Sequence, residues 1–416
     1  MSRAPLLLLS LFCASLCAES RPNIVFILAD DLGYGEVGYN GQKIIRTPNV
    51  DRLAREGMIL TRHYCGNAVC APSRTVLMTG RNPGHATARD NGDVGDREQF
   101  PLPTGITTLP ATLKSAGYAT AAFGKWGMGG FDSTGSPLKQ GFDRFLGVTS
   151  HGVFPADADP QDPKAYAPFI GKDFLSERTI KGAEAFIAAN KSKPFFLYYA
   201  SPLPHVALQV PAEELKQYEG VIKEDAPYAP QKGGYSPNRT PRTTYAAMIS
   251  RLDKEVGRIL AALEKAGTRS NCISGFEDWL LTFAELAGVK MERTAAIASE
   301  SLVPAFKGTD APRSAPLYRE FPGYGSQQAI WDGKWKAIRT DMNKKVQAKT
   351  PIVTQLYDLD ADPNETTDLA AKFPEIVKEL EAKMTAARVP NPDFPLPGVE
   401  PMPANGGKGK KKAAKK

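Results

Sequence analysis

Four places in the chain hold residue types that could do chemistry at one point. They are Cys70-Ala71-Pro72-Ser73-Arg74 with Thr79-Gly80-Arg81 behind it, the carboxylate pair Asp30-Asp31, Lys125 in Gly124-Lys125-Trp126-Gly127, and His205 at the end of Ser201-Pro202-Leu203-Pro204-His205. Each also has a plain reading. Free cysteine is most often a small buried hydrophobe, adjacent carboxylates in a loop cap a helix or a turn, a single lysine is solvated surface, and a loop histidine is neutral filler. Where the surrounding elements put these residues decides between the two readings.

Asn23 to Leu28 is a short apolar run that reads as a buried parallel strand, and Asp30-Asp31 follow it. In open α/β sheets ligands gather at the carboxyl ends of strands. Tyr118 to Phe123 reads as a second strand, leading into Lys125, and Pro194 to Tyr199 as a third, leading into His205. Helices are expected over Val50 to Glu56, opened by the capping residue Thr47 and Pro48, and over Leu109 to Ala116 and Ile180 to Ala189. The clearest helix is Thr243 to Ala266, with Met248, Leu252, Val256, Ile259, Leu260 and Leu263 at helical spacing; another follows over Phe276 to Ala287. Gln328 to Arg339 and Gln355 to Leu359 read as strands of a smaller second domain, with a last helix from Pro374 to Ala387. This alternation predicts an α/β layer fold with a largely parallel sheet.

The chain has 416 residues, 42% hydrophobic and 23% charged, enough for one large core or two. Arg3, the apolar run Leu6 to Phe12 and small residues up to Ala18 follow the order of a signal peptide, so residues 1–20 are expected to be removed on export to the periplasm or cell exterior. The run is too short to span a bilayer. Cys65, Cys70 and Cys272 survive that cleavage, and in an oxidising compartment an odd count leaves one cysteine unpaired or committed to other chemistry. Part of the net charge of +7 lies in the lysine-rich end Lys408 to Lys416, which reads as a solvated tail rather than a specific nucleic-acid site.

Cys70-Ala71-Pro72-Ser73-Arg74 followed by Thr79-Gly80-Arg81 resembles the signature of type I sulfatases, and Pro22-Asn23-Ile24-Val25 through Gly33-Tyr34-Gly35 resembles that family's metal-binding opening. Phe276-Glu277-Asp278-Trp279, Phe321-Pro322-Gly323-Tyr324, Trp335-Lys336-Ala337 and Leu356-Tyr357-Asp358-Leu359 resemble the later segments of arylsulfatase A-like enzymes. The resemblance implies an alkaline phosphatase-like sandwich with a mostly parallel central sheet and a smaller C-terminal antiparallel sheet. It also implies that a maturation enzyme oxidises Cys70 to formylglycine, whose hydrated aldehyde attacks the sulfur of a sulfate ester. Arg74 would fix that diol. Asp30, Asp31 and the residue at Cys70 would hold Ca²⁺, or Mg²⁺, both of which prefer oxygen ligands. Lys125 would neutralise charge on the sulfuryl oxygens, and His205 would bind sulfate or protonate the leaving oxygen. His151 is a weaker candidate, and His63 and His85 are taken as structural.

The sequence departs from the family in two places. Gly127 stands where one form of the Gly-Lys-Trp box has histidine. After the long helix, relatives continue through a strand ending in Asp-Asn-Gly, a Gly-Lys loop and a Glu-Gly-Gly-x-Arg segment, and none of these occurs between Gly267 and Ser274. The resemblance assigns two further metal ligands and a second lysine to that stretch. Its loss is expected to thin the metal shell and leave sheet edges without partners. The expected domains are 21–290 for catalysis, with the family's segment missing between 267 and 274, 291–395 for the C-terminal part, and a basic tail at 396–416. The functional expectation is a hydrolase of aryl or carbohydrate sulfates. The alternatives are a catalytically impaired sulfatase-like binding protein and, less in keeping with Cys70, a phosphoesterase of the same superfamily.

Overall fold

The computed structural model of the chain describes residues 21–94, 98–149, 174–206, 208–228, 238–263, 270–294, 296–309 and 313–401. The expected signal peptide, most of the basic tail and His151 lie outside them. Among the described residues no helix is long and apolar enough to cross a membrane.

The central sheet is built from β1 (Ile24–Leu28), β3 (Ala119–Lys125), β4 (Arg144–Val148) and β5 (Phe195–Ala200), in the order β1-β5-β3-β4 and parallel throughout. β5 is buried along its whole length and β3 nearly so, as their near-continuous apolar composition requires of a sheet covered on both faces. One face carries α2 (Cys70–Thr79), α3 (Leu109–Ser115) and α6 (Asp278–Leu286), whose Leu77, Leu113 and Leu280 meet Ala122, Phe196 and Tyr198 in one core. The other face carries α4 (Leu175–Ala189) and α5 (Pro241–Leu263), whose Ile180, Phe186 and Ile259 pack on Phe123, Leu197 and Tyr199. Burying each such side chain contributes roughly 1.5–3 kcal/mol, so this three-layer interior outweighs any single surface contact.

Several boundaries differ from the sequence expectation, Gln328 to Arg339 being two strands rather than one, and two of the differences bear on the site. β3 runs two residues further than expected because Gly124 and Lys125 still pair with Gly147 and Val148 of β4; Lys125 is the last residue of a strand rather than part of a loop. α1 (Pro48–Glu56) is not capped by Thr47. Asp253 of α5 reaches across instead and accepts the amide hydrogens of Asn49 and Val50 at 2.9 and 2.8 Å, while the Thr47 hydroxyl turns to Gly38 and Asp51.

β2 (Leu60–Tyr64) and β6 (Ser270–Gly275) form a separate parallel pair, and among the described residues β1 pairs only with β5. A second sheet is an antiparallel meander of β7 (Leu317–Phe321), β8 (Gln327–Asp332), β9 (Trp335–Arg339) and β10 (Gln355–Asp358). α7 (Pro374–Ala386) lays Leu380 and Met384 against its Tyr318, Ile330 and Leu356. The seam between the sheets is ionic: Glu320 of β7 is buried between Arg89 and Arg388 and accepts the Tyr318 hydroxyl at 2.7 Å.

Candidate active site

Strand register brings the four segments together. Leu28 and Gly124 both stand level with Ala200, and Lys125 is level with Val148, so Asp30, Lys125 and the Ser201–His205 turn emerge at one carboxyl edge. Gly124 (φ +109) is what allows this closeness, since a Cβ there would lie 1.9 Å from the Ala200 carbonyl oxygen. Trp126 locks the chain as it leaves β3: its indole donates to the Gly135 carbonyl at 2.7 Å, and its amide to Val148 at 2.8 Å.

The signature segment makes geometric sense on α2. Val69 is extended, Cys70 opens the helix, and Pro72 falls in the first turn, where a missing amide hydrogen costs nothing. The Ser73 hydroxyl donates to the Asn67 carbonyl at 2.7 Å and accepts the Asn67 amide at 2.8 Å, folding the entering loop back onto the helix. Arg74 follows Cys70 by four residues and so lies on the same face. All ten residues of α2 are buried, and Thr75 and Thr79 satisfy their hydroxyls on the carbonyls of Ala71 and Thr75, at 3.0 and 2.7 Å.

Asp30 is the centre of the site. It is 3% exposed, accepting Arg74 Nη2 at 3.0 Å on one oxygen and Lys125 Nζ at 2.7 Å on the other. Burial pushes its carboxyl up, but Arg74, Lys125 and His205 outweigh it and hold the group at about 2. Arg74 is also buried; burial opposes its charge, and Tyr198, Asp30 and Cys70 raise its pKa instead. Its Nε has no hydrogen-bond partner. His205 Nε2 lies 3.5 Å from the exposed carboxylate of Asp31, and Nδ1 is held by the Val206 carbonyl. Burial and Lys125 lower the imidazole pKa against the pull of Asp30 and Asp31.

Cys70, Arg74, Asp30, Lys125, His205 and Asp31 therefore form one continuous cluster. Three neighbours escaped the sequence reading. Asn91 accepts from the Ala71 amide at 3.1 Å and from Cys70 Sγ at 3.6 Å; its only sequence signal is a turn-like Asp90-Asn91-Gly92. Tyr198 sits inside β5 with its hydroxyl 3.4 Å from Arg74 Nη1. Glu255 of α5 braces the site from behind: it accepts the Ser201 hydroxyl at 2.9 Å, that hydroxyl accepts the Leu203 amide at 3.3 Å, and the Leu203 carbonyl accepts the Asp30 amide at 3.0 Å.

Among the described residues the other two histidines stand apart. His63 is half-buried, accepting the Trp279 indole hydrogen on Nε2 at 3.3 Å and lying 2.7 Å from the Ser274 hydroxyl through Nδ1. Burial holds it down at about 4, a neutral core histidine. His85 bonds through its amide to Asn82 in a turn.

The carboxylates present do not by themselves fit a calcium shell. A hard cation takes six to eight oxygens, whereas both oxygens of Asp30 are engaged by cationic side chains, and among the described residues no three His, Cys, Asp or Glu side chains converge as a metal site would need.

The sulfatase family profile matches residues 22–273. The chain is 32% identical to mouse arylsulfatase J over 62% of its own length and 42% of that protein, and 32% identical to mouse N-acetylgalactosamine-6-sulfatase over 61% and 49%. It thus spans less than half the length of these relatives. Among solved structures, Ps i-CgsB in complex with k-i-k-neocarrahexaose superposes with a TM-score of 0.72 at 26% identity, covering 89% of this chain and 94% of that one. Profile, relatives and fold agree: this chain is a member of the sulfatase family, with the alkaline phosphatase-like fold.

Proposed function

We propose that the protein is an exported hydrolase of carbohydrate sulfate esters whose nucleophile is formylglycine made from Cys70. The observation that carries this reading is the seat of Cys70: it opens a fully buried helix, with Arg74 below it and the Asp30–Lys125 pair beyond. A relative described as N-acetylgalactosamine-6-sulfatase and a structural neighbour solved with k-i-k-neocarrahexaose support a saccharide sulfate as the substrate class.

Formylglycine at position 70 would supply a hydrated aldehyde, one hydroxyl to attack sulfur and the other to expel sulfate afterwards. The chain's own groups do the rest. Lys125, fixed at the strand end, faces the charge that builds on the sulfuryl oxygens, and the amino end of α2 adds its partial positive charge. Arg74 holds the residue at 70 in line. An anionic ester beside His205 would raise the imidazole pKa, so that Nε2 can carry a proton to the leaving oxygen as the S–O bond breaks. Asp30 and Asp31 are the residues that would face Ca²⁺; with their shell incomplete, no step is assigned to the metal.

The test is coexpression with a formylglycine-generating enzyme, followed by the mass of the Cys70 peptide and an assay on 4-nitrophenyl sulfate with and without Ca²⁺. Conversion with turnover establishes the reading. Full conversion of folded protein without turnover overturns it and points to the residues absent between Gly267 and Ser274.

A further inference from the structure

The turn between β7 and β8 follows a strand that is tied to the loop entering the nucleophile's helix. Asn67, on the loop that enters α2, donates its side-chain amide to the Glu320 carbonyl at 3.0 Å, and Arg319 donates to the Cys65 carbonyl at 2.8 Å. At Gly323 a Cβ would lie 2.6 Å from Asp90 Oδ2 and 2.8 Å from the Phe321 ring, so the turn packs closely against Asp90. The next residue, Asn91, is the one that meets Cys70. The turn is also fixed internally and from below. Ser326 is buried, its amide donating to the Gly323 carbonyl at 2.9 Å and its hydroxyl to Pro322 at 2.6 Å, while the amides of Met342 and Asn343 donate to Ser326 and Gly325 at 3.1 and 2.9 Å.

On this rigid tip stands Tyr324, 87% exposed, with φ +46. A turn that needs a left-handed residue takes glycine or asparagine at little cost; a bulky aromatic there is strained, and such strain collects at functional positions. One face of the ring is stacked on the buried Phe321, with centroids 5.8 Å apart and planes at 25°. The opposite face is open to solvent, on the residue after Gly323, which packs against Asp90. A flat exposed aromatic backed by a second ring matches the face of C–H bonds that a pyranose presents.

We propose that Tyr324 is a specificity-determining residue, the stacking platform for a sugar ring adjacent to the sulfated one. This rests on the reading of the Cys70 pocket as a saccharide sulfatase site and extends it to a second subsite supplied by the antiparallel sheet.

The experiment compares wild type, Y324A and Y324F, all matured at Cys70, on 4-nitrophenyl sulfate and on sulfated tetrasaccharides of the chondroitin, heparan and carrageenan types. The expected result is that the ratio of kcat/KM on the preferred tetrasaccharide to that on 4-nitrophenyl sulfate falls roughly tenfold in Y324A, chiefly through KM, as loss of one aromatic contact implies, and is kept in Y324F. An unchanged ratio overturns the proposal. Binding of the same tetrasaccharides to C70A and to C70A/Y324A separates this from the catalytic reading. If wild type hydrolyses nothing yet binding falls when Tyr324 is removed, the subsite stands and the catalytic reading fails. If 4-nitrophenyl sulfate is cleaved but no tetrasaccharide binds, the subsite fails while the reading of Cys70 as the nucleophile of a sulfate-ester hydrolase stands.

Discussion

Two buried ionic clusters hold this molecule, and they are charged differently. At the sheet edge one carboxylate, Asp30, lies between two cations, Arg74 and Lys125. At the seam Glu320 likewise lies between Arg89 and Arg388, but Arg388 also meets a second carboxylate, Glu400. The seam is balanced, two acids against two bases. Among its buried groups the edge has one acid against two bases and an Arg74 Nε without a partner, while the cluster's other carboxylate, Asp31, is exposed beside His205. Removing charge from water is costly unless it is matched. A cluster left unmatched beside a nucleophile is one that an anion such as a sulfate ester completes; the matched one is structural.

Breaking the seam should have the largest effect. Glu320→Ala leaves the buried Arg89 guanidinium without a carboxylate and takes one of two from Arg388, and is expected to cost about 3–5 kcal/mol of stability, read from urea unfolding; a loss below about 1 kcal/mol would make the two clusters equivalent. At the edge, Lys125→Ala leaves Asp30 paired with Arg74. It should lower kcat on 4-nitrophenyl sulfate by roughly 10²–10³-fold while the unfolding midpoint moves far less than in the seam variant.

Glu255 gives a pH-dependent test. Burial is the main influence on it, and despite hydrogen bonds from Ser176, Tyr199 and Ser201 and the nearby charge of Arg251 its pKa is raised from 4.5 to about 7. The folded state keeps this proton where the unfolded state has lost it, so stability falls as pH rises from 4.5 to about 7, by on the order of 3 kcal/mol. Glu255→Gln does not titrate, so its stability relative to wild type should climb across that window and level off above it; a flat difference would mean that Glu255 is ionised in the fold. The smallest change expected is in Asn91→Ala, which removes one acceptor beside Cys70 and should reduce kcat by about tenfold with little loss of stability.

The sequence showed the strands that end at the site because β1, β3 and β5 are apolar runs, each followed by a polar residue. It did not show β2, whose Leu60-Thr61-Arg62-His63-Tyr64 mixes polar and apolar residues, or the burial of all of α2, whose Ser73, Thr75 and Thr79 look like surface until their intrahelical and loop partners are seen. Asp253 as the cap of α1, Glu255 as a brace and Asn91 at the nucleophile were equally hidden. Each acts on a residue far away in sequence, and neither periodicity nor motif spacing carries that information. Lys125 and His205 were legible as residues, but their meeting around Asp30 follows from parallel register, which depends on the whole sheet.

β1 presents the uncharged run Ile24-Val25-Phe26-Ile27-Leu28 with one side paired to β5 and, among the described residues, no strand on the other. A short, apolar, unpaired ribbon of this kind templates the addition of further strands. The solution behaviour of the protein is then a race between closing its own core and adhering to its neighbours. The first is indifferent to concentration and the second is not, so the yield of monomer on refolding should rise with dilution.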